Sequence, residues 1–195
     1  MSYVLASMTG WILGGVAVLL VLWFIGLYNG LVRLKQICNE AWAQIDVQLK
    51  RRHDLIPNLV ETAKGYMKHE RETLEAVIQA RNAAVAARED PGKGPAAMAA
   101  AENALTGFVR QFFALSENYP DLKANQNMLK IQEELASTEN RISFARQHYN
   151  DSVRRYNTKL EQVPTNIVKN FGDFPAREYF ELEDPAQREA PKVQF

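Results

Sequence analysis

Three histidines, one cysteine and a scatter of carboxylates are the residues whose types could do chemistry in this 195-residue chain. A di-metal centre in a helical bundle needs Glu-x-x-His pairs on facing helices, but the residue three before His148 is Ala145 and the residue three before His53 is Lys50. Zincin hydrolysis needs His-Glu-x-x-His on one helix face, and here His69-Glu70 is followed by Arg71-Glu72-Thr73. The spacing predicts no metal site and places His53, His69 and His148 at the surface. Gly92-Lys93-Gly94 lacks the strand and the Gly-x-x-x-x-Gly-Lys-Ser/Thr frame of a phosphate loop, so it reads as a turn. Cys38 falls on an apolar helix stripe, where a thiol is buried and inert. The remaining route to catalysis is a site assembled between subunits, with Glu61, Glu139, Arg141 and His148 as first candidates. The expectation is a non-enzymatic protein with no catalytic residue, cofactor or metal.

The elements that must position these groups are of two materials. Residues 1–32 carry no charged side chain, so all 23 Lys+Arg and 23 Asp+Glu fall in the rest of the chain. This balance leaves no basic excess to neutralise phosphates, and nucleic acid is not expected as a partner. Residues 4–27 are uncharged throughout; at ~1.5 Å per residue they make roughly 36 Å of helix, enough to cross a hydrocarbon layer of ~30 Å. Trp11 and Tyr28 suit the two interfaces. A cleaved signal peptide would want a basic lead and a shorter apolar core, so a retained span after a short N-terminus of residues 1–3 is expected. Arg33, Lys35, Lys50, Arg51 and Arg52 follow the span and no Lys or Arg precedes it. The N-terminus is therefore expected outside and the large domain in the cytoplasm of a single-pass plasma (inner) membrane protein. Gly10 with Gly14, and Gly26 with Gly30, form two small-xxx-small patterns that let membrane helices approach closely.

From residue 28 to 163 the pattern is helical. Leu31, Leu34, Cys38, Trp42, Ile45 and Leu49 recur at spacings of three and four, a bundle-type stripe. Asp54 and Pro57 either open a second helix or kink one long one. Glu89-Asp-Pro-Gly-Lys-Gly-Pro95 is a clear break; Leu105, Phe108, Phe112, Leu115 and Tyr119 mark a third helix. Pro120 opens a fourth, running to Val163. Short connections predict an all-α, up-down bundle of four helices, with Trp42, Ile45, Leu59, Phe108, Phe112, Leu135, Ile142, Tyr149 and Tyr156 in its core. Residues 164–195 hold four prolines and five aromatics, which together predict an extended tail docked on a bundle or a neighbouring subunit.

Polar residues interrupt the apolar stripes: Asn58, Glu61, Asn125, Asn127, Glu139, Asn140, Arg141, Asn150 and Asn157. Asn is a mediocre helix former, costly on a bundle face unless its amide is satisfied. Two readings stay open, an interhelical hydrogen-bond network and a polar groove for a partner.

The run Tyr28-Asn-Gly-Leu-Val-Arg-Leu34 and the block Ala41-Trp-Ala-Gln-Ile-Asp-Val-Gln-Leu-Lys-Arg-Arg-His-Asp-Leu-Ile-Pro-Asn-Leu-Val-Glu61 resemble the hallmark of the LemA family. Tyr119-Pro-Asp-Leu-Lys-Ala-Asn125, Thr138-Glu-Asn-Arg-Ile142, Tyr149-Asn150, Tyr156-Asn157 and Phe171-Gly172 continue the likeness. His53 stands where an aromatic is expected, and Phe112-Phe113 makes that helix bulkier than usual. The resemblance implies a bacterial membrane protein with one N-terminal span and a helical bundle. It implies no reaction, cofactor or catalytic residue, and points to companions of membrane-associated proteases and stress-response systems. The function expected is a membrane-anchored scaffold that self-associates into a homo-oligomer, touching membrane lipid and its own copies. The alternative is an adaptor or sensor holding a membrane-associated protease or stress-response protein.

Overall fold

The computed structural model describes residues 2–90 and 92–181, with side chains from Trp11 onward. The described residues are all-α, without a strand: α1 Ser2–Lys64, α2 Arg71–Glu89, α3 Pro95–Ser116, the single turn α4 Pro120–Lys123, α5 Gln126–Glu161, and the short α6 Thr165–Val168 with a 3₁₀ turn over Lys169–Phe171. The last prolines and Phe195 of the tail lie outside the described residues.

Of the two readings of Asp54 and Pro57, the one long helix holds, and no second helix opens there. α1 passes through Pro57 unbroken. A proline in mid-helix has no N–H for the carbonyl four residues earlier, which here is His53. That carbonyl is not left bare: Arg81 Nε, from α2, donates to it at 3.1 Å. A partner 28 residues away therefore makes the proline tolerable, and the first break falls at residues 65–70 instead. Replacing Arg81 with Met should leave the His53 carbonyl unpaired and cost about 1–3 kcal/mol, read as a lower midpoint in thermal unfolding of the full chain.

Pro95 starts α3 from the first position, as the 89–95 break predicts. Pro120 starts only one turn. The long helix begins six residues later, because the Asn125 side-chain oxygen accepts the N–H groups of Asn127 and Met128 at 2.9 and 3.2 Å, a cap that sets a new helix start.

The contacts divide the chain into two compact units, Met1–Glu40 with Asp151–Arg177, and Ala41–Asn150 with Glu178–Phe195. The divisions fall inside α1 and α5. The second unit has a core of Ile56, Leu59, Ala63, Met67, Leu74, Val77, Ala84, Leu105, Phe112, Leu122, Met128 and Leu135. The first buries Leu31, Cys38, Val153, Tyr156, Leu160 and Val168. Seven of the nine expected core residues are buried. Trp42 is half-buried and Phe108 is 38% exposed; α3 turns Met98, Glu102, Leu105 and Phe112 inward, and Phe108 sits at the edge of that face.

Candidate functional site

In the second unit the apolar stripe of α1 runs Ile45, Leu49, Ile56, Leu59, Ala63, and the turn it skips is filled by Arg52 and His53. Both are buried, at 3% and 1% exposure, against Glu102 of α3 at 1%. The Glu102 carboxylate meets His53 Nε2 at 2.7 Å with one oxygen and Arg52 Nη1 at 3.3 Å with the other. Arg52 Nη2 reaches Thr106 Oγ1 at 2.8 Å and Glu139 Oε1 at 3.1 Å. His53 Nδ1 is buried without a hydrogen-bond partner among the described residues. The expectation of a surface His53 is overturned, while His69 and His148 are exposed. Charged side chains at stripe positions were the available signal, but Arg51-Arg52-His53 reads as a solvated run until Glu102 is brought opposite. A His–carboxylate pair has the form of an acid–base couple; here it is sealed from solvent and ties α1 to α3, and Arg52 ties α1 to α5 through Glu139.

A second arrangement grips the tail. In the first unit Asn157 forms a two-point clamp on the main chain of Arg177: its Oδ1 accepts the N–H at 3.0 Å and its Nδ2 donates to the C=O at 2.8 Å. The Arg177 guanidinium returns to Asn39 of α1. In the second unit Asn150 clamps Phe180 in the same way, at 2.9 and 3.1 Å, and Tyr149 Oη donates to the Glu178 carbonyl at 3.0 Å. The Phe180 ring is fully buried, 5.8 Å from Trp42. The tail docks within the chain, so a neighbouring subunit is not required to hold residues 173–181. Asn157→Leu should strip both partners from Arg177 and speed tryptic cleavage after it; unchanged cleavage would contradict the clamp.

The third feature is uncovered apolar helix. From Trp11 to Ile25 the first unit presents Trp11, Leu13, Leu19, Trp23 and their neighbours to the outside, and an 18-residue window of this helix has a mean hydropathy of 2.3. It is the one helix among the described residues long and apolar enough to cross a membrane. A Cβ built on Gly14, Gly26 or Gly30 meets nothing within 4 Å, so these faces are open. The surroundings of Gly10 lie outside the described residues.

These features sit in a chain whose residues 41–195 match the family model of the LemA family. The chain belongs to the LemA family. Relatives include Protein LemA of Metamycoplasma hominis, 27% identical over 145 residues, which are 74% of this chain and 64% of that protein. Magnetosome protein MamQ 2 of Paramagnetospirillum magneticum is 23% identical over 180 residues, 82% of this chain and 66% of the relative. The chain thus spans slightly under two thirds of the length of these relatives.

In this LemA-family chain the other polar candidates part company. Asn58, Glu61, Asn127, Asn140 and Arg141 are exposed. Glu61 pairs with Lys64 at 2.7 Å. Asn125 caps α5 and donates to Tyr66 Oη at 3.0 Å. The four candidates for an intersubunit catalytic site are not brought together: Glu61 lines one groove, Arg141 and His148 another, and Glu139 is turned to Arg52. Among the described residues no group of His, Cys, Asp and Glu could hold a metal ion.

Cys38 is fully buried as expected. Burial raises its pKa above the ordinary 9.0, with Arg177 opposing, and burial likewise raises that of Tyr156 above 10.0, with Arg177 opposing. Acids whose folded pKa is raised stabilise the fold fully below their unfolded values, and that contribution is lost as pH rises through the folded ones. Stability should therefore fall above pH 9 in a urea titration series, and Cys38→Ala should flatten the first part of the fall.

Proposed function

We propose that this LemA-family chain is a membrane-anchored, non-enzymatic scaffold that self-associates into a homo-oligomer at the bacterial plasma (inner) membrane. The observation that carries the reading is the uncovered Trp11–Ile25 stretch. Soluble monomers rarely leave so long a run of Trp, Leu, Val and Ile bare, and a bilayer is the solvent that accepts it without cost. The open faces of Gly14, Gly26 and Gly30 supply surfaces on which a second such helix packs closely. Arg33 and Lys35, just past the span, put the following helices on the cytoplasmic side and the opposite end of the span outside. Arg52 drops out of that count, since its charge is spent inside the fold on Glu102.

In lipid nanodiscs the full chain should give a native mass that is a multiple of the monomer, and Gly14→Leu, Gly26→Leu and Gly30→Leu together should return it to the monomer. A strictly monomeric wild-type chain would overturn self-association.

The adaptor reading, for a membrane partner such as a protease, is favoured by one feature. Val47, Phe144 and His148 line an open groove of about 660 Å³ on the second unit, and Phe144 is 72% exposed. A photocrosslinker at position 144 in cells separates the readings: self-adducts support the scaffold, and adducts to one other membrane protein support the adaptor.

A further inference from the structure

The first unit carries a second apolar surface that the span does not account for. After α5 the chain turns through Pro164 into α6 and the 3₁₀ turn, and these two turns are two-faced. Thr165 and Val168 are buried, at 0% and 3% exposure. Val163, Ile167 and Phe171, spaced four apart, are exposed at 77%, 59% and 68%. Ile167 lies in α6 and Phe171 ends the 3₁₀ turn, while Val163 precedes both in the turn before Pro164, and all three side chains face outward. Most of the apolar surface of these three side chains is left uncovered by the fold.

The level of this surface is fixed by ring contacts. Phe171 lies edge-on against Phe24 of α1, with centroids 5.3 Å apart. Phe174 makes a similar contact with Tyr28 one turn later, also at 5.3 Å. Gly172 lets the chain pass between them: a Cβ there would sit 2.6 Å from the Phe174 ring and 3.0 Å from Tyr28. Lys35 closes the arrangement, donating to the Asp173 carbonyl at 2.7 Å and lying 5.8 Å from the Phe174 ring centre. Phe24 is three residues, about 4.5 Å of helix, inside the end of the expected 4–27 span. Phe171 is thus held at the depth where hydrocarbon gives way to headgroups, and Tyr28 at the headgroup level that suits its amphipathic ring.

From this we infer that residues 163–171 form an interfacial lipid-binding element, with Val163, Ile167 and Phe171 immersed in the cytoplasmic leaflet beside the span. The inference rests on the membrane reading of α1 and adds a second contact with the same bilayer. The occupant is lipid and not a second copy, because the exposed face continues, through the Phe171–Phe24 contact, into the apolar surface of the span. An amphipathic element of this kind sits about 5–10 Å into the boundary between headgroups and acyl chains. Two attachments at different points of one unit resist tilting of that unit against the membrane plane, which a single helix does not.

The test uses the full chain with Cys38→Ala, carrying one nitroxide at a time at Leu20, Glu161, Ile167 or Phe171, in nanodiscs of phosphatidylethanolamine and phosphatidylglycerol. Collision with oxygen reports hydrocarbon, collision with a water-soluble nickel chelate reports water, and low access to both reports a protein interface. The expected result is high oxygen and low nickel access at 167, 171 and 20, with the reverse at 161, and a depth of about 5–10 Å for 167 and 171. Nickel access at 167 and 171 while Leu20 stays in hydrocarbon overturns the lipid-binding element alone. Low access to both probes at 167 and 171 also overturns it, in favour of a covering copy. Nickel access at Leu20 overturns the membrane reading and this inference with it.

Discussion

Replacing Glu102 with Ala should lower the unfolding free energy of the full chain by about 3–5 kcal/mol, the cost of leaving buried charge without its partner. Glu102 answers both Arg52 and His53, and burial seals these from the water that would otherwise take its place. After the change Arg52 keeps Thr106 and the half-exposed Glu139, while His53 keeps nothing on its ring. Glu102→Gln, which preserves the shape and one donor–acceptor pairing, should cost less. Exchanging the cluster together for apolar residues of like volume (Arg52→Met, His53→Phe, Glu102→Leu) should be close to neutral or stabilising, since the charges then leave with their desolvation cost. Urea unfolding followed by Trp42 fluorescence, in the same unit, checks all three. A loss within 0.5 kcal/mol for Glu102→Ala, the range of an ordinary surface change, would contradict the cluster.

Phe112→Ala should be comparably costly, about 3–5 kcal/mol, because the ring is fully buried and packs edge-on against Phe113 at 5.4 Å. The informative comparison is Phe108→Ala on the same helix. Both residues occupy apolar positions of a 3–4 spacing, yet Phe108 is 38% exposed, and its loss should cost about 1 kcal/mol. Equal effects in thermal unfolding would mean that α3 turns a different face inward.

That pair also shows how far the sequence could be read. Patterns set by near neighbours are legible. Pro120 opens only a single turn and not the long helix expected of it, whereas the apolar stripe of α1, the Pro95 helix start and the buried Cys38 all follow from spacing or from a residue's own backbone constraints. So does the suspicion attached to Asn150 and Asn157, since an amide on an apolar face needs a partner; only the docked tail shows that the partner is the main chain of Phe180 and Arg177. What depends on a distant residue was not legible. The helix runs through Pro57 because Arg81 takes the carbonyl the proline frees. His53 is inside because Glu102 is inside too, and neither side chain betrays this alone. Asn125 is open to two readings, a network or a groove; it bonds Tyr66 of the α1–α2 connection and also caps α5, and neither reading foresees the cap.

The central claim is that Trp11–Ile25 is held in lipid, and extraction tests it most directly. Membranes from cells expressing the full chain, washed with alkaline carbonate, should retain it as an integral protein. The double variant Leu13→Arg and Leu20→Arg should move it to the supernatant, each buried Arg being worth about 2.5–3.5 kcal/mol against insertion. Release of the unaltered full-length chain by carbonate, or its recovery from the soluble fraction with residues 11–25 intact, would contradict the account.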